Sequence, residues 1–206
     1  MSSRMPALFI GHGSPMNAIT DNPFRALWRE LGSTLPRPRA VLCVSAHWET
    51  AAPMVCTADP PKTIHDFGGF PPALSAVRYP APGSPALAER IQALADGEVS
   101  LNPGWGLGHG ACQILMHLCP AADVPVVQLS LARSYTAVQH LDLARKLSLL
   151  REEGVLILGS GNIVHNLRQI GASDTPAWAI DFDVAVAKAI ENQDLQTLAD
   201  YGALPG

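Results

Sequence analysis

The sequence predicts an α/β fold: a single domain with a central, mostly parallel or mixed sheet and helices on both faces. Three observations carry this expectation. Short apolar runs recur along the 206 residues, helix-like patterns fall between them, and the runs do not alternate cleanly between apolar and polar. Strands buried on both faces of a layered sheet read in this way. The balance of 48% hydrophobic and 16% charged residues suits a chain with a large buried fraction. A chain of this length buries about 70% of its unfolded surface, so neither disulfides nor metals are required for folding.

The runs ALFI (7–10), AVLCVSA (40–46), PMVCTA (53–58), VPVVQLSL (124–131) and GVLILGS (154–160) read as strands, and EVSLN (98–102) as a weaker sixth. Helical patterns occupy PFRALWREL (23–31), SPALAERIQALA (84–95), GACQILMHL (110–118), TAVQHLDLARKLSLLREEG (136–154) and IDFDVAVAKAIEN (180–192). Ser84 before Pro85 has the chemistry of an N-cap and first helical position, and Gly154 that of a helix stop. Residues 59–83, DPPKTIHDFGGFPPALSAVRYPAPG, break the pattern with prolines and glycines. A connection of that length reads as a functional loop.

Lys and Arg number 14 against 18 Asp and Glu, a formal net charge of −4. No basic run could track a phosphate backbone, so nucleic acid is not an expected partner. No apolar run approaches the ~18 residues of a membrane span, and the amino terminus is too short in apolar residues for a signal-peptide core. The expectation is a cytoplasmic protein without a membrane partner. Cys43, Cys56, Cys112 and Cys119 lack C-x-x-C spacing and read as small core residues in a reducing compartment.

Function is expected at the histidines. Five of the seven lie in strand exits or glycine-rich segments. His12 follows ALFI between two glycines, a turn that favours a displayed side chain; His47 follows AVLCVSA, and His165 comes shortly after GVLILGSGN. In open α/β sheets, ligands bind beyond the carboxyl ends of the strands. If these three strands run parallel, their histidines meet in one crevice, within reach of His65 in the proline-rich loop and His109 at a helix start.

Imidazole ligates zinc and iron, and its pKa suits proton transfer near neutrality. The residues alone therefore point to a histidine metal site and leave the reaction open. A zinc-dependent hydrolase, in which bound water attacks an amide or ester, and a non-catalytic metal-binding protein are both compatible with them. Trp48 and Trp105 flank two of the key histidines, where they would wall an aromatic substrate, although a tryptophan more commonly wedges the core. His117 and His140 fall in helical patterns and read as structural or surface residues. The GSG at 159–161 fits neither nucleotide-binding template, and Ser14 in GHGSP does not match the G-x-S-x-G nucleophile elbow.

Seven collinear motifs narrow the choice: PALFIGHGSPMN, SAHWET, TIHDFGGFP, YPAPGSP, WGLGHG, PVVQLS and GSGNIVHNLR. In this order they resemble the DOPA-dioxygenase-type group of the class III (LigB-like) extradiol ring-cleaving dioxygenases, from residue 6 to about residue 168. The resemblance implies an α/β fold with a mononuclear metal site. It makes His12 and His47 metal ligands, His165 a ligand or an acid/base group, and His109 a catalytic or supporting histidine. It puts His65 and Asp66 near the substrate. The implied reaction opens a catechol such as 3,4-dihydroxyphenylalanine with O2 on Fe(II), with zinc an inactive metal that the same nitrogens bind readily. The resemblance also implies a single catalytic domain over residues 1–206, lacking a carboxyl-terminal segment that carries a further metal-binding histidine.

Overall fold

A computed structural model describes residues 4–169 and 174–205. Six strands form one sheet: β1 (Ala7–Gly11), β2 (Ala40–Thr50), β3 (Met54–Cys56), β4 (Ser100–Asn102), β5 (Val126–Ala132) and β6 (Val155–Gly161). Their order across the sheet is β1-β6-β2-β5-β3-β4. Every neighbouring pair is parallel except β3 with β5, so the sheet is mixed.

The two central parallel strands explain the lack of clean alternation. Along β2, Val41 and Cys43 enter one core cluster, whereas Ala40 and Leu42 enter another on the opposite face. On the first face the sheet is covered by α1 (Pro23–Thr34) and α4 (His109–Leu118), through Trp28, Ile114, Leu115 and Leu118. The second face meets α3 (Pro85–Leu94) and α5 (Ala137–Leu147), through Leu87, Ala88, Ile91, Leu143 and Leu147. A strand with helices on both sides must be apolar on both sides.

Helix starts follow the side-chain chemistry of their caps. Asn22 accepts from the Arg25 N–H ahead of α1, and Ser84 from the Leu87 N–H ahead of α3. Thr136 and Gln139 close a capping box ahead of α5. The expected helix over 136–154 does not persist: α5 stops at Leu147, and Ser148–Arg151 tightens into a 3-10 turn. The chain then reverses at Gly154, which has φ of +81°. Three further helices are one-turn α2 (Pro72–Ser75), inside the proline-rich loop, and α6 (Ala177–Glu191) and short α7 (Leu195–Ala199), after the last strand. As expected, Cys43, Cys56 and Cys112 are buried free thiols, and Cys119 is half-buried.

One irregularity in the sheet sets up everything beyond it. Against β5, Val44 pairs with Leu129 but Glu49 pairs with Leu131, so residues 45–48 of β2 face a single residue of its partner. The strand bulges and re-aims its side chains where the ladder is lost. His47 lies in that bulge. β2 therefore continues past the expected end at residue 46 and carries His47 within the strand.

Leu158 of β6 is fully buried in the first cluster, between strands that flank it on both sides. Leu158→Ala is expected to cost about 2–5 kcal/mol, as for other buried leucines truncated in a packed core. The midpoint and slope of urea unfolding would show it; a loss under about 1 kcal/mol would mean that the sheet is not packed there as described.

Candidate metal centre

The carboxyl ends of β1, β6 and β2 lie side by side because the three strands are adjacent and parallel. His12 leaves β1, and its N–H donates to Gly161 O of β6 at 3.0 Å. Gly13, with φ of +59°, turns the chain immediately afterwards, a conformation that glycine adopts freely. A Cβ there would also stand 2.9 Å from Asn17 Nδ2. The turn does not display His12 as expected: the residue is only 2% exposed. Two side-chain amides hold its carbonyl and bring the ring inward, Asn17 Nδ2 at 3.0 Å and Gln113 Nε2 at 2.8 Å.

The rings of His12, His47 and His109 converge. Their ligand nitrogens all lie within 4.8 Å of one another. Ring centroids are 4.8 Å apart for His12 and His47, and 4.1 Å for His47 and His109. His109 is the first residue of α4, and Asp66 from the proline-rich loop accepts both its backbone N–H (3.1 Å) and its Nδ1–H (2.7 Å). The preceding amide, Gly108 N–H, donates to Gln128 Oε1 at 3.0 Å. Side chains from a loop and a strand thus satisfy the first amides of α4 and set the orientation of His109.

Hydrogen bonding decides which ring nitrogen faces the centre. The Ser160 hydroxyl donates to Gly110 O at 2.6 Å, so its oxygen accepts from His12 Nδ1–H at 2.9 Å. The His12 lone pair is then on Nε2. His109 has the same tautomer, with Nδ1–H on Asp66. His47 Nδ1 lies 3.7 Å from Asp66 Oδ2, which favours the proton on Nδ1 there as well. Nε2 of His47 and Nε2 of His12 are 3.0 Å apart. Two lone pairs at that distance repel unless a cation lies between them. Nitrogens that share one zinc ion at about 2.0–2.1 Å have comparable spacing, so the donor set fits a metal.

Burial disfavours the charged form of two of these rings, His12 and His47. The pKa of His12 is lowered to about 4, first by desolvation and then by the neighbouring His47 and His109. Desolvation, with His109 beside it, also lowers that of His47. Burial alone would raise the Asp66 carboxyl, but the hydrogen bonds from His109 outweigh it and hold the group below its usual range.

A cavity of about 570 Å³ opens over the three rings, within the range of small-molecule sites. Asp66, Phe67, Phe70, Asn162 and His165 are among its walls. Phe67 meets the edge of His109 with centroids 5.4 Å apart. His165 is an exposed residue of the cavity wall and stands outside the group of three close nitrogens. The long loop therefore does contribute to the site. Two expected substrate residues do not line this cavity. Trp48 follows His47 on a strand and so faces the other way; it is 3% exposed and stacked on Trp105 at 5.0 Å. His65 is not among the walls; its Nε2 lies 2.9 Å from Val77 O and 3.1 Å from Arg78 Nη1. His117 stacks on Trp28, and His140 Nε2 accepts the Ala132 N–H, both within the structural framework.

A model of the family described as the catalytic LigB subunit of aromatic ring-opening dioxygenase matches residues 6–203. The chain belongs to this family. A 4,5-DOPA dioxygenase extradiol of Escherichia coli (strain K12) is 51% identical over 187 residues, 88% of this chain and 69% of that protein. A protein of the same description from Beta vulgaris is 41% identical over 203 residues, 94% of this chain and 75% of its own length. The crystal structure of an uncharacterised protein from Escherichia coli K12 superposes with a TM-score of 0.77 at 44% identity, covering 91% of this chain and 73% of that one. As a LigB-family member the chain is a metal-dependent extradiol dioxygenase, acting on an aromatic substrate with O2. No helix among the described residues is long and apolar enough to cross a membrane.

Residues that sequence reasoning passed over hold the LigB histidines in place: Ser160, Gln113, Gln128 and Asn17. Gly110 belongs with them. A Cβ on Gly110 would stand 2.8 Å from Ser160's neighbour Ser45 Oγ, 3.1 Å from His47 Cδ2 and 3.2 Å from Ser160 Oγ. Gly110→Ala is expected to displace His47 and Ser160, cost about 1–3 kcal/mol by overpacking, and lower bound metal per chain. Urea unfolding and elemental analysis would check this; full metal content with unchanged stability would count against the close approach of α4.

Metal-stripped protein should also lose stability in acid. His12 is neutral in both states above pH 6.5; between about 6.5 and 4 the unfolded chain takes up a proton that the folded chain refuses. Stability therefore falls as pH drops through that window and stops falling from this source below about 4. Urea titrations of chelator-treated protein should show the decline already between pH 6.5 and 5, shallower in His12→Gln. A flat profile there would contradict the buried neutral ring.

Proposed function

We propose that the chain opens the ring of a catechol, such as 3,4-dihydroxyphenylalanine, at Fe(II) held by His12 and His47, with His109 as the third nitrogen. The single observation that carries this is the pair of Nε2 atoms 3.0 Å apart, with lone pairs turned to one point by Ser160 and Asp66. A metal held by these three nitrogens would supply the redox chemistry that lets O2 react with a diol, and three protein ligands would leave positions open for both substrates.

The remaining work falls to this chain's own side chains. Asp66 keeps His109 in one tautomer and orientation through the 2.7 Å bond to Nδ1. Phe67 and Phe70 offer apolar faces to the aromatic ring. His165, on the exposed wall, is placed to accept a proton from a diol hydroxyl and to return it as the ring opens. The names of the relatives from Escherichia coli and Beta vulgaris, both 4,5-DOPA dioxygenase extradiol, support 3,4-dihydroxyphenylalanine as the first substrate to try.

Zinc binds the same nitrogens more tightly than Fe(II) but has no redox chemistry. Protein loaded with Fe(II) should consume O2 with 3,4-dihydroxyphenylalanine or simpler catechols and form a coloured ring-opened product, whereas the zinc form should not. His12→Ala and His47→Ala should lose the metal. His165→Ala should keep it and lose turnover by about 10²–10⁴-fold, the usual contribution of a positioned acid/base. Absence of O2 uptake by the iron form would sink the reading, and O2-independent cleavage of an ester or amide by the zinc form would replace it with a hydrolase.

A further inference from the structure

Beside the ring of His109 lies a second and much smaller pocket, of about 20 Å³. It has room for about one small molecule. Pro15, Phe67 and His109 line both this pocket and the large cavity, so the two adjoin at those residues. Ala18, Ile64, Leu74 and Val77 form much of the remaining wall, which is almost wholly apolar. A catechol is far too large to enter.

The polar groups at its margin are nearly all engaged elsewhere. Thr63 Oγ1 accepts the Tyr79 N–H at 3.1 Å, the Cys112 thiol donates to Leu107 O at 3.4 Å, and His65 Nε2 is bonded to Val77 O. Gln113 spends its amide N–H on His12 O, and its Oε1 finds no partner among the described residues. A pocket whose lining is almost wholly apolar is a poor site for water, because a buried water makes about three hydrogen bonds. An apolar pocket that holds water badly takes apolar guests instead, as dry cavities take xenon.

We propose that this pocket is a docking site for O2 next to His109, from which the gas reaches the metal without crossing the space filled by the aromatic substrate. The proposal rests on the dioxygenase reading above. O2 is the one small, uncharged, apolar reactant of that chemistry. Its docking here would keep the two substrates on separate approaches, the diol from the large cavity and the gas from beside His109.

Xenon under pressure reads the pocket without turnover. Crystals of the protein should show a xenon atom among Ala18, Leu74 and Phe67, and Ala18→Val should remove it. In the iron-loaded enzyme, Ala18→Val and the gentler Val77→Leu should each raise KM for O2 severalfold while KM for the diol stays as in wild type. An ordered water in place of xenon would overturn the proposal. So would an unchanged KM for O2 in both variants when their melting temperatures match wild type, and that result would leave the dioxygenase reading standing. Wild-type enzyme that consumes no O2 with any diol would overturn both.

Discussion

The Ser160 hydroxyl is the contact on which the centre depends. It accepts from His12 Nδ1 and donates to the Gly110 carbonyl, and so ties the exit of β1, the end of β6 and the first turn of α4 to one atom. A serine buried in an apolar strand is costly unless both its hydrogen-bonding capacities are used. Here they are, and the use is directional. Because Gly110 O can only accept, the hydroxyl proton has one destination, and the His12 tautomer follows from it. The metal-facing lone pair is thus determined two bonds away, in the sheet.

Asp66 plays the matching part from the other side. Its carboxylate is reached by His109 through backbone and side chain together, and it faces His47 Nδ1 at 3.7 Å. A loop with so many prolines and glycines has little regular hydrogen bonding of its own beyond the single turn of α2, yet it is anchored where its acidic residue caps α4. An isolated bridge between Thr63 and Leu107 adds a second tie along the same approach. The loop is therefore held by the site that it helps to build, which explains how a segment of irregular backbone can place Phe67 and Phe70 over the rings. One carboxylate serves two imidazoles in the same contacts, and the hydrogen bonds from His109 hold it below its usual range.

Much of this was legible in the sequence, and the part that was not has a common cause. Strand runs in alternation with helical patterns gave the layers, and all six strands are present with ends moved by a few residues. His12, His47 and His165 do gather at three adjacent strand ends, as the position of each after an apolar run suggested. Trp48 takes the commoner duty of tryptophan, in the core, because β2 continues past residue 46. A strand that continues puts neighbours on opposite faces, and the bulge that aims His47 inward sends Trp48 to Trp105. The nearness of His109 to His12 and His47 depends on how α4 meets the sheet, which spacing along the chain does not encode.

The supporting residues did leave a trace: each is a polar residue set inside an apolar run. Gln113 stands in GACQILM, Gln128 in VVQLSL and Ser160 in GVLILGS, and all three are no more than 2% exposed. A core of this size would be more stable with apolar residues of the same shape at those positions, since each amide or hydroxyl must find partners or be left unsatisfied, as Gln113 Oε1 and Gln128 Nε2 are. Stability therefore does not explain them. What these three share is a hydrogen bond to a histidine or to the backbone of or beside one, whereas Ser130, equally buried in β5, bonds Thr50 and the Met54 N–H instead. The three positions converge on the same centre as the histidines, by an independent route that uses the energetics of burial rather than the chemistry of imidazole.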